Sequence, residues 1–456
     1  LQWEKAANVT FYSGRIKRRA GPQLIFQPNT HTIRGISQQY ASSGTRWIWT
    51  ASGGDIYRFY GPGPEHIATL SWLEDATSNE AATFVDFTHY GDWTIINNTK
   101  DPPKIFKDDG TGTAPYAGPS GVAKYMKKLS FILALGYGAR GTQVGWSDGS
   151  DIEVWTPTAE NSAGSMAIDD FDTRIITANR IGQSISVFNE DQVALVNYIS
   201  NPYYFGQKVV LDGIGAVGKY SVCGDGVSNY GVGRNGVWWT DSNSFKYIDE
   251  GYLHDYLQNN VNWSQMSKIS AVRNDYTGCI EFFFPMLSSA IISEGWSWDP
   301  RTGGWSPIPP CALKDERKLL IKPLIGLQDG TINLDQHIYN VDTPLTLETK
   351  PMLMQLQSQS GLTDIHVSTR IDEIVLLLKE AQHVDFRVGS AQLQDADFSW
   401  SMWQELDPLS RTYKIESLPD GVFWKLQFRS TADIWRLDLQ GFMLFGIIEG
   451  TGRDRQ

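Results

Sequence analysis

From Arg46 to Gly61 the chain reads RWIWTASGGDIYRFYG. Trp47 and Trp49 share one face of an extended segment, Ser52-Gly53-Gly54-Asp55 makes the turn, and Ile56 to Phe59 return. Tight hairpin turns demand positive φ, which glycine adopts without the Cβ clash other residues suffer. The same unit recurs along the chain. VGWSDGSDIEVW sets Asp148-Gly149 between Trp146 and Ile152, YGVGRNGVWWT offers Asn235-Gly236 as a type I′ turn, and LLIKPLIGLQDGTINLD places Asp329-Gly330 between apolar stretches. Looser versions turn at Ile181-Gly182-Gln183 and at Asp299-Pro300-Arg301-Thr302-Gly303-Gly304. A helix would need apolar residues three and four positions apart over ten or more residues. Only the short stretch Tyr252 to Gln265 is a candidate. The expected fold class is all-β.

A chain of 456 residues is expected to divide into two or three domains. Six or so degenerate four-stranded units of roughly 40 to 50 residues each would match the blades of a β-propeller over residues 1–345. Blades bury aromatic strands against one another, which accounts for 17 Trp in a chain with little helix. A large array of β-sandwiches is the structural competitor. Beyond Thr343-Pro344 the strands lengthen. In VFWKLQFRS, Val422, Trp424, Leu426 and Phe428 alternate with Phe423, Lys425, Gln427 and Arg429, and DIWRLDLQGF alternates Trp435, Leu437 and Leu439 with Arg436, Asp438 and Gln440. Such period-two alternation marks strands with one buried face. RIDEIVLLLKEAQHVDFRVG reads as a further hairpin, with Ile374 to Leu378 also compatible with helix. A β-sandwich is therefore expected over 346–446, followed by a polar tail over 447–456.

Composition removes several function classes. No apolar run of roughly 18 residues occurs, so a membrane-spanning helix and membrane insertion are not expected. No apolar core follows the basic residues near the N-terminus, so no secretory signal is read there. Cys223, Cys279 and Cys311 form no C-x-x-C pair, which fits assembly in a reducing cytoplasm. Seven scattered histidines show no metal-ligand spacing, and neither a metal nor a cofactor is expected.

A glycosidase would need two carboxylates across a sugar cleft. Asp148, Asp151 and Glu153 are the nearest grouping, but their spacing is that of a turn and a solvent face. Gly213, Gly215 and Gly218 spell a bare dinucleotide fingerprint without the helix whose N-terminus would hold the phosphate. Trp238, Trp239, Trp296, Trp298 and Trp305 are candidates for sugar stacking, although strand aromatics more often fill cores. No catalytic constellation rises above background, and the expectation is a protein that is not an enzyme. A propeller glycosidase or a lectin for surface carbohydrate is the alternative.

The opening NVTFYSGRIKRRAG puts Arg15, Lys17, Arg18 and Arg19 within five positions of a chain with formal charge -12. With Asn8, Val9, Phe11, Gly14 and Gly21, this stretch resembles the start of the β-propeller tail proteins of short-tailed bacteriophages. That group includes the tail nozzle, or tail tubular protein B, and packaged-DNA stabilisation proteins. The closing VFWKLQFRSTADIWRLDLQGFMLFGIIEGTGR is similar to the family's final sandwich. The resemblance implies a structural virion protein, assembled in the bacterial host cytoplasm as a homohexameric ring around the channel of DNA ejection. Its implied partners are a portal or adaptor, a tail fibre or needle, and DNA in transient passage. A net-negative conduit would repel phosphate, so DNA would slide past it. The basic residues are expected to form one strand, with Ile16 inward, that closes the propeller ring. A sharper expectation has Lys17, Arg18 and Arg19 facing an acidic neighbouring subunit or exiting DNA.

Overall fold

The computed structural model describes residues 3–448 apart from short stretches, chiefly 71–83, 119–125, 315–323, 327–331, 339–344, 357–364, 416–422 and 431–435. It is an all-β protein. Among the described residues are seven four-stranded antiparallel sheets, two larger sheets and a two-stranded one. The chain divides into two compact units.

One unit, residues 22–300 and 309–335, holds most of the strands of the seven small sheets. Six follow one another in sequence, each a simple meander. Their first and last strands are Ile33–Tyr40 to Pro64–Thr69, Asp86–Tyr90 to Gly112–Pro115, Met126–Lys128 to Gly164–Ala167, Thr177–Ile181 to Tyr204–Asp212, Val222–Gly224 to Phe245–Tyr247, and Ser270–Asn274 to Trp305–Ile308. The seventh takes three strands, Leu313–Lys314, Leu324–Gly326 and Ile332–Ile338, and completes its set with Gly21–Phe26 from the other end of the chain. The expected six units are thus seven. The strand that completes the last sheet is not the basic one but the next along.

Each core cluster is shared by consecutive sheets. Trp49, Ala51 and Ile56 of the first sheet pack on Phe87, Ile96 and Phe106 of the second. Leu133, Val144 and Trp146 of the third meet Ala178, Val187 and Val196 of the fourth, and Phe188 of the fourth stacks on Trp238 of the fifth at 5.3 Å. Tyr230 of the fifth lies 5.8 Å from Trp298 of the sixth. A small sheet needs its hydrophobic face covered, and face-to-face burial of aromatic strands does this here.

The turns are chemically explicit. Gly53 and Gly54 take φ of 60° and 86°, as the hairpin between Arg46–Ser52 and Asp55–Phe59 requires. Elsewhere an acceptor side chain closes the loop: Asp225 Oδ1 accepts from the N–H groups of Val227 and Ser228, and Asp241 Oδ1 does so from Asn243 and Ser244. The hairpin expected at Asn235-Gly236 exists, but its two loop residues are Arg234 and Asn235 and neither has positive φ, so it is not type I′. Asp329-Gly330 lies outside the described residues. Among the described residues the α-helix is Tyr252–Asn260, with Leu253 and Leu257 buried, and a 3-10 helix follows at Trp263–Lys268.

The other unit joins residues 1–21 and 301–308 to 336–456. Its five-stranded sheet runs Val9–Tyr12, Arg15–Arg18, Arg436–Ile448, Thr369–Gln382 and Thr412–Lys414. Its seven-stranded sheet centres on Phe423–Ser430, flanked by Leu345–Thr349 and Asp385–Ala391. Trp424, Leu426 and Phe428 are fully buried, as their alternation requires, whereas Val422 and Trp435 lie outside the described residues. Phe386 of one sheet meets Tyr413 of the other edge to face at 4.8 Å. The expected hairpin of RIDEIVLLLKEAQHVDFRVG is corrected. Both halves are strands, but at His383, with φ of 53°, the chain leaves one sheet for the other and the two strands do not pair.

Candidate functional site

The basic residues fall on an interior strand. Arg15–Arg18 pairs on one side with Val9–Tyr12 and on the other with Arg436–Ile448, Ile16 opposite Leu439 and Lys17 opposite Asp438. This corrects the expectation that the basic strand closes the ring of small sheets. Arg19 lies outside the described residues. Register thus sets a basic position opposite an acidic one of the same chain. Part of each of the two segments that carry the family resemblance is thereby joined in one sheet, while Phe423–Ser430 of the closing segment lies in the other.

In the unit of seven sheets, a polar cluster forms where the chain enters the first strands. Lys219 Nζ lies 2.5 Å from Asp86 Oδ2, with the side chains 3% and 6% exposed. Tyr220 OH donates to Asp86 Oδ1 at 2.5 Å and to the carbonyl of Val85 at 2.9 Å. Val85 N–H in turn donates to the Arg34 carbonyl, Thr177 Oγ1 to the Lys219 carbonyl, and Ala271 N–H to the Tyr220 carbonyl. Segments leading into the first, second, fourth, fifth and sixth sheets are therefore tied at one place. Phe84 supports it from beside Tyr220, 5.0 Å away, and Arg34 lies over the Phe84 ring at 6.0 Å. A Lys–Asp pair this deeply enclosed is closed to solutes, so its work is to join sheets. Sequence reading passed over Lys219 and Tyr220; the only signal was a lysine at the end of the apolar run IGAVG.

The acidic grouping also differs from expectation. Asp148 is buried. Its carboxylate accepts from Ser162 N at 2.7 Å, Ser162 Oγ at 2.5 Å, Ser150 Oγ, and the N–H groups of Ser150 and Asp151. Hydrogen bonds from Ser150 and Ser162 hold the carboxyl well below the usual carboxylate range. Asp148 is the hub of the ordered connection 147–163 and not a solvent-face turn residue. Asp151 accepts from Glu153 N–H, and Glu153 Oε2 pairs with Lys107 at 2.5 Å.

Asp249 is a second buried carboxylate. Oδ2 accepts from Val237 N–H at 3.0 Å and lies 3.3 Å from Nδ1 of the half-exposed His254. Burial pushes this carboxyl up. Gly236 stands against the pair: a Cβ there would come 2.9 Å from Asp249 Oδ2.

Of the candidate stacking residues, Trp238 is fully buried with its N–H donated to the Gly215 carbonyl, and Trp298 is buried. Trp239 carries Lys246 over its ring and Trp296 meets Tyr256. They belong to the fifth and sixth sheets, and Trp305 to the last strand of the sixth. Gly215 has a packing role, since a Cβ there would collide with the Glu190 backbone at 2.2 Å. Cys223, Cys279 and Cys311 are buried free thiols. Among the described residues no group of three or more His, Cys, Asp or Glu is placed to hold a metal, and no helix is long and apolar enough to cross a membrane.

No protein-family model matches the chain, and no curated protein matches it. Solved structures that align with the chain include the computationally designed protein Ika8, at 8% identity and a TM-score of 0.41 over 69% of this chain and 99% of that one. The extracellular domain of a putative one component system from B. thetaiotaomicron aligns at 10% identity and 0.48, over 83% of this chain and 47% of its own. An inactive virginiamycin B lyase from Staphylococcus aureus aligns at 10% and 0.43, over 69% and 97%. Likenesses this distant carry nothing about activity.

Proposed function

We propose that the seven small sheets are the blades of a β-propeller closed by Gly21–Phe26, that the two larger sheets form a β-sandwich, and that the protein is a structural, non-enzymatic part of a short-tailed phage tail. The observation that carries this reading is the pairing of Arg15–Arg18 with Arg436–Ile448. Parts of both segments that resemble the tail family, Arg15–Arg18 and Arg436–Ile448, are neighbouring strands of one sheet, which supports reading the resemblance at the two ends together. In this reading copies assemble as a ring, within a virion put together in the host cytoplasm, against a portal or adaptor and a fibre or needle. The enclosed Lys219–Asp86 tie favours a DNA passage between copies over one along the axis of a single copy's sheets.

Light scattering on the purified full chain, with negative-stain images, tests this. Rings of about six copies with a central hole are expected. Monomers at every accessible concentration, alone and with isolated phage tails lacking this component, overturn it.

A further inference from the structure

Lys219 and Asp86 are the most enclosed oppositely charged pair among the described residues, with Nζ 2.5 Å from Oδ2 and side chains 3% and 6% exposed. That is closer than the roughly 2.7–2.9 Å usual for a charge-assisted hydrogen bond, and the carboxyl carbon is one bond further on. Distance alone does not set the pair apart. Lys107 Nζ lies as near to Glu153 Oε2, but with side chains 21% and 35% exposed, where water competes for both groups.

Burial together with Tyr220 distinguishes Lys219 and Asp86. The Tyr220 hydroxyl has one hydrogen and two acceptors in reach, Asp86 Oδ1 at 2.5 Å and the Val85 carbonyl at 2.9 Å. That hydrogen can move to whichever oxygen gains negative charge. Tyr220 also packs against Ile33, Ile36 and Phe84, which keeps the surroundings apolar. Both reactants are held by main chain. Thr177 Oγ1 donates to the Lys219 carbonyl at 2.7 Å, Ala271 N–H to that of Tyr220 at 2.8 Å, and Val85 N–H to that of Arg34 at 2.9 Å. An amine and a carboxyl fixed in contact gain the most that orientation can give an intramolecular reaction.

We propose that Lys219 and Asp86 react to form an amide bond between their side chains, which ties the second sheet covalently to the segment entering the fifth. The freshly folded chain holds the ion pair, and the amide forms from it. A proton first passes from the Lys219 ammonium to Asp86 Oδ2, leaving a neutral amine against a carboxylic acid. Enclosure favours this uncharged pair over two buried charges. The Nζ lone pair attacks Cγ, and the charge that develops on Oδ1 meets the Tyr220 hydrogen. The Cγ–Oδ2 bond then breaks. Oδ2 leaves as water with its own hydrogen and one more from Nζ, and the third hydrogen of the ammonium stays on the amide nitrogen. The step needs no outside reactant. Its product replaces two buried charges by a neutral group, and the enclosure that excludes water protects the amide from hydrolysis. The inference rests on this pair alone and not on the tail reading.

Intact mass spectrometry of the full chain, fresh and after prolonged incubation at neutral pH, tests it. A mass lower by one water is expected in a growing share of the chains. Succinimide formation at an Asp-Gly step such as Asp329-Gly330 also releases water, so the tryptic digest decides. It should contain one branched peptide that carries both Asp86 and Lys219 and is uncut after Lys219. Lys219→Arg, shown by circular dichroism to be folded, keeps the cation and should yield no branched peptide, whereas Lys107→Arg should yield it in full. Tyr220→Phe should slow the bond about a hundredfold. An unchanged rate in that variant overturns the part given to Tyr220. Recovery of Lys219 as a free amine, cut by trypsin throughout the incubated wild-type chain, overturns the proposal.

Discussion

Tyr220 and Asp86 lie 134 positions apart in sequence and share a 2.5 Å hydrogen bond. Lys219 salt-bridges the other oxygen of the same carboxylate. One carboxylate of the second sheet thus holds two consecutive residues at the entrance to the fifth. Removing one member of a buried pair leaves the other charge uncompensated at a cost of about 3–5 kcal/mol. Asp86→Asn and Lys219→Met should each lower the urea unfolding free energy by that order. The double replacement should cost less than the sum, because neither charge is then stranded.

The connection 147–163 should depend on Asp148 in the same local way. Asp148→Ala removes the acceptor of five donors and is expected to cost about 1–3 kcal/mol. It should also speed amide exchange at Ser150, Asp151 and Ser162 ahead of the neighbouring strands. The folded carboxyl is held below its unfolded value of ~3.9. Its contribution is therefore complete above that pH and is lost as the pH falls below it. Exchange measured at pH 6 and pH 3 should show the wild-type loop approaching the variant at the lower pH.

Asp249 has the opposite sign. Burial raises its folded pKa, so the folded state holds the proton more tightly than the unfolded chain does. The contribution favours folding below ~3.9 and is lost as the pH rises through the folded value. Asp249→Asn should therefore gain on the wild type in urea midpoint between pH 4 and pH 8. A midpoint difference that stays constant across that range would contradict the assignment.

Local grammar was readable and long-range pairing was not. Gly53-Gly54, the buried face of Trp424, Leu426 and Phe428, and the helix near Tyr252 follow from residue spacing alone. The seventh sheet was missed because its last strand is contributed by residues 21–26, which no local pattern connects with Ile332–Ile338. The chain's departure at His383 was missed for a related reason: alternation reports that a strand has a buried face, not which sheet receives it. Asp148 misled because a Ser-Asp-Gly sequence suits an exposed turn and a buried acceptor hub equally well. Lys219 and Asp86 are legible only in three dimensions.

The strand Gly21–Phe26 that completes the seventh sheet has a consequence for synthesis. Arg15–Arg18 and Gly21–Phe26 leave the ribosome long before their partners, Arg436–Ile448 and Ile332–Ile338. Neither unit can close until those partners have emerged, and the early strands wait with bare edges. Folding that depends on such distant pairings is slow and exposed to aggregation. Chaperone occupancy on the growing chain should therefore fall only after Arg436–Ile448 has emerged.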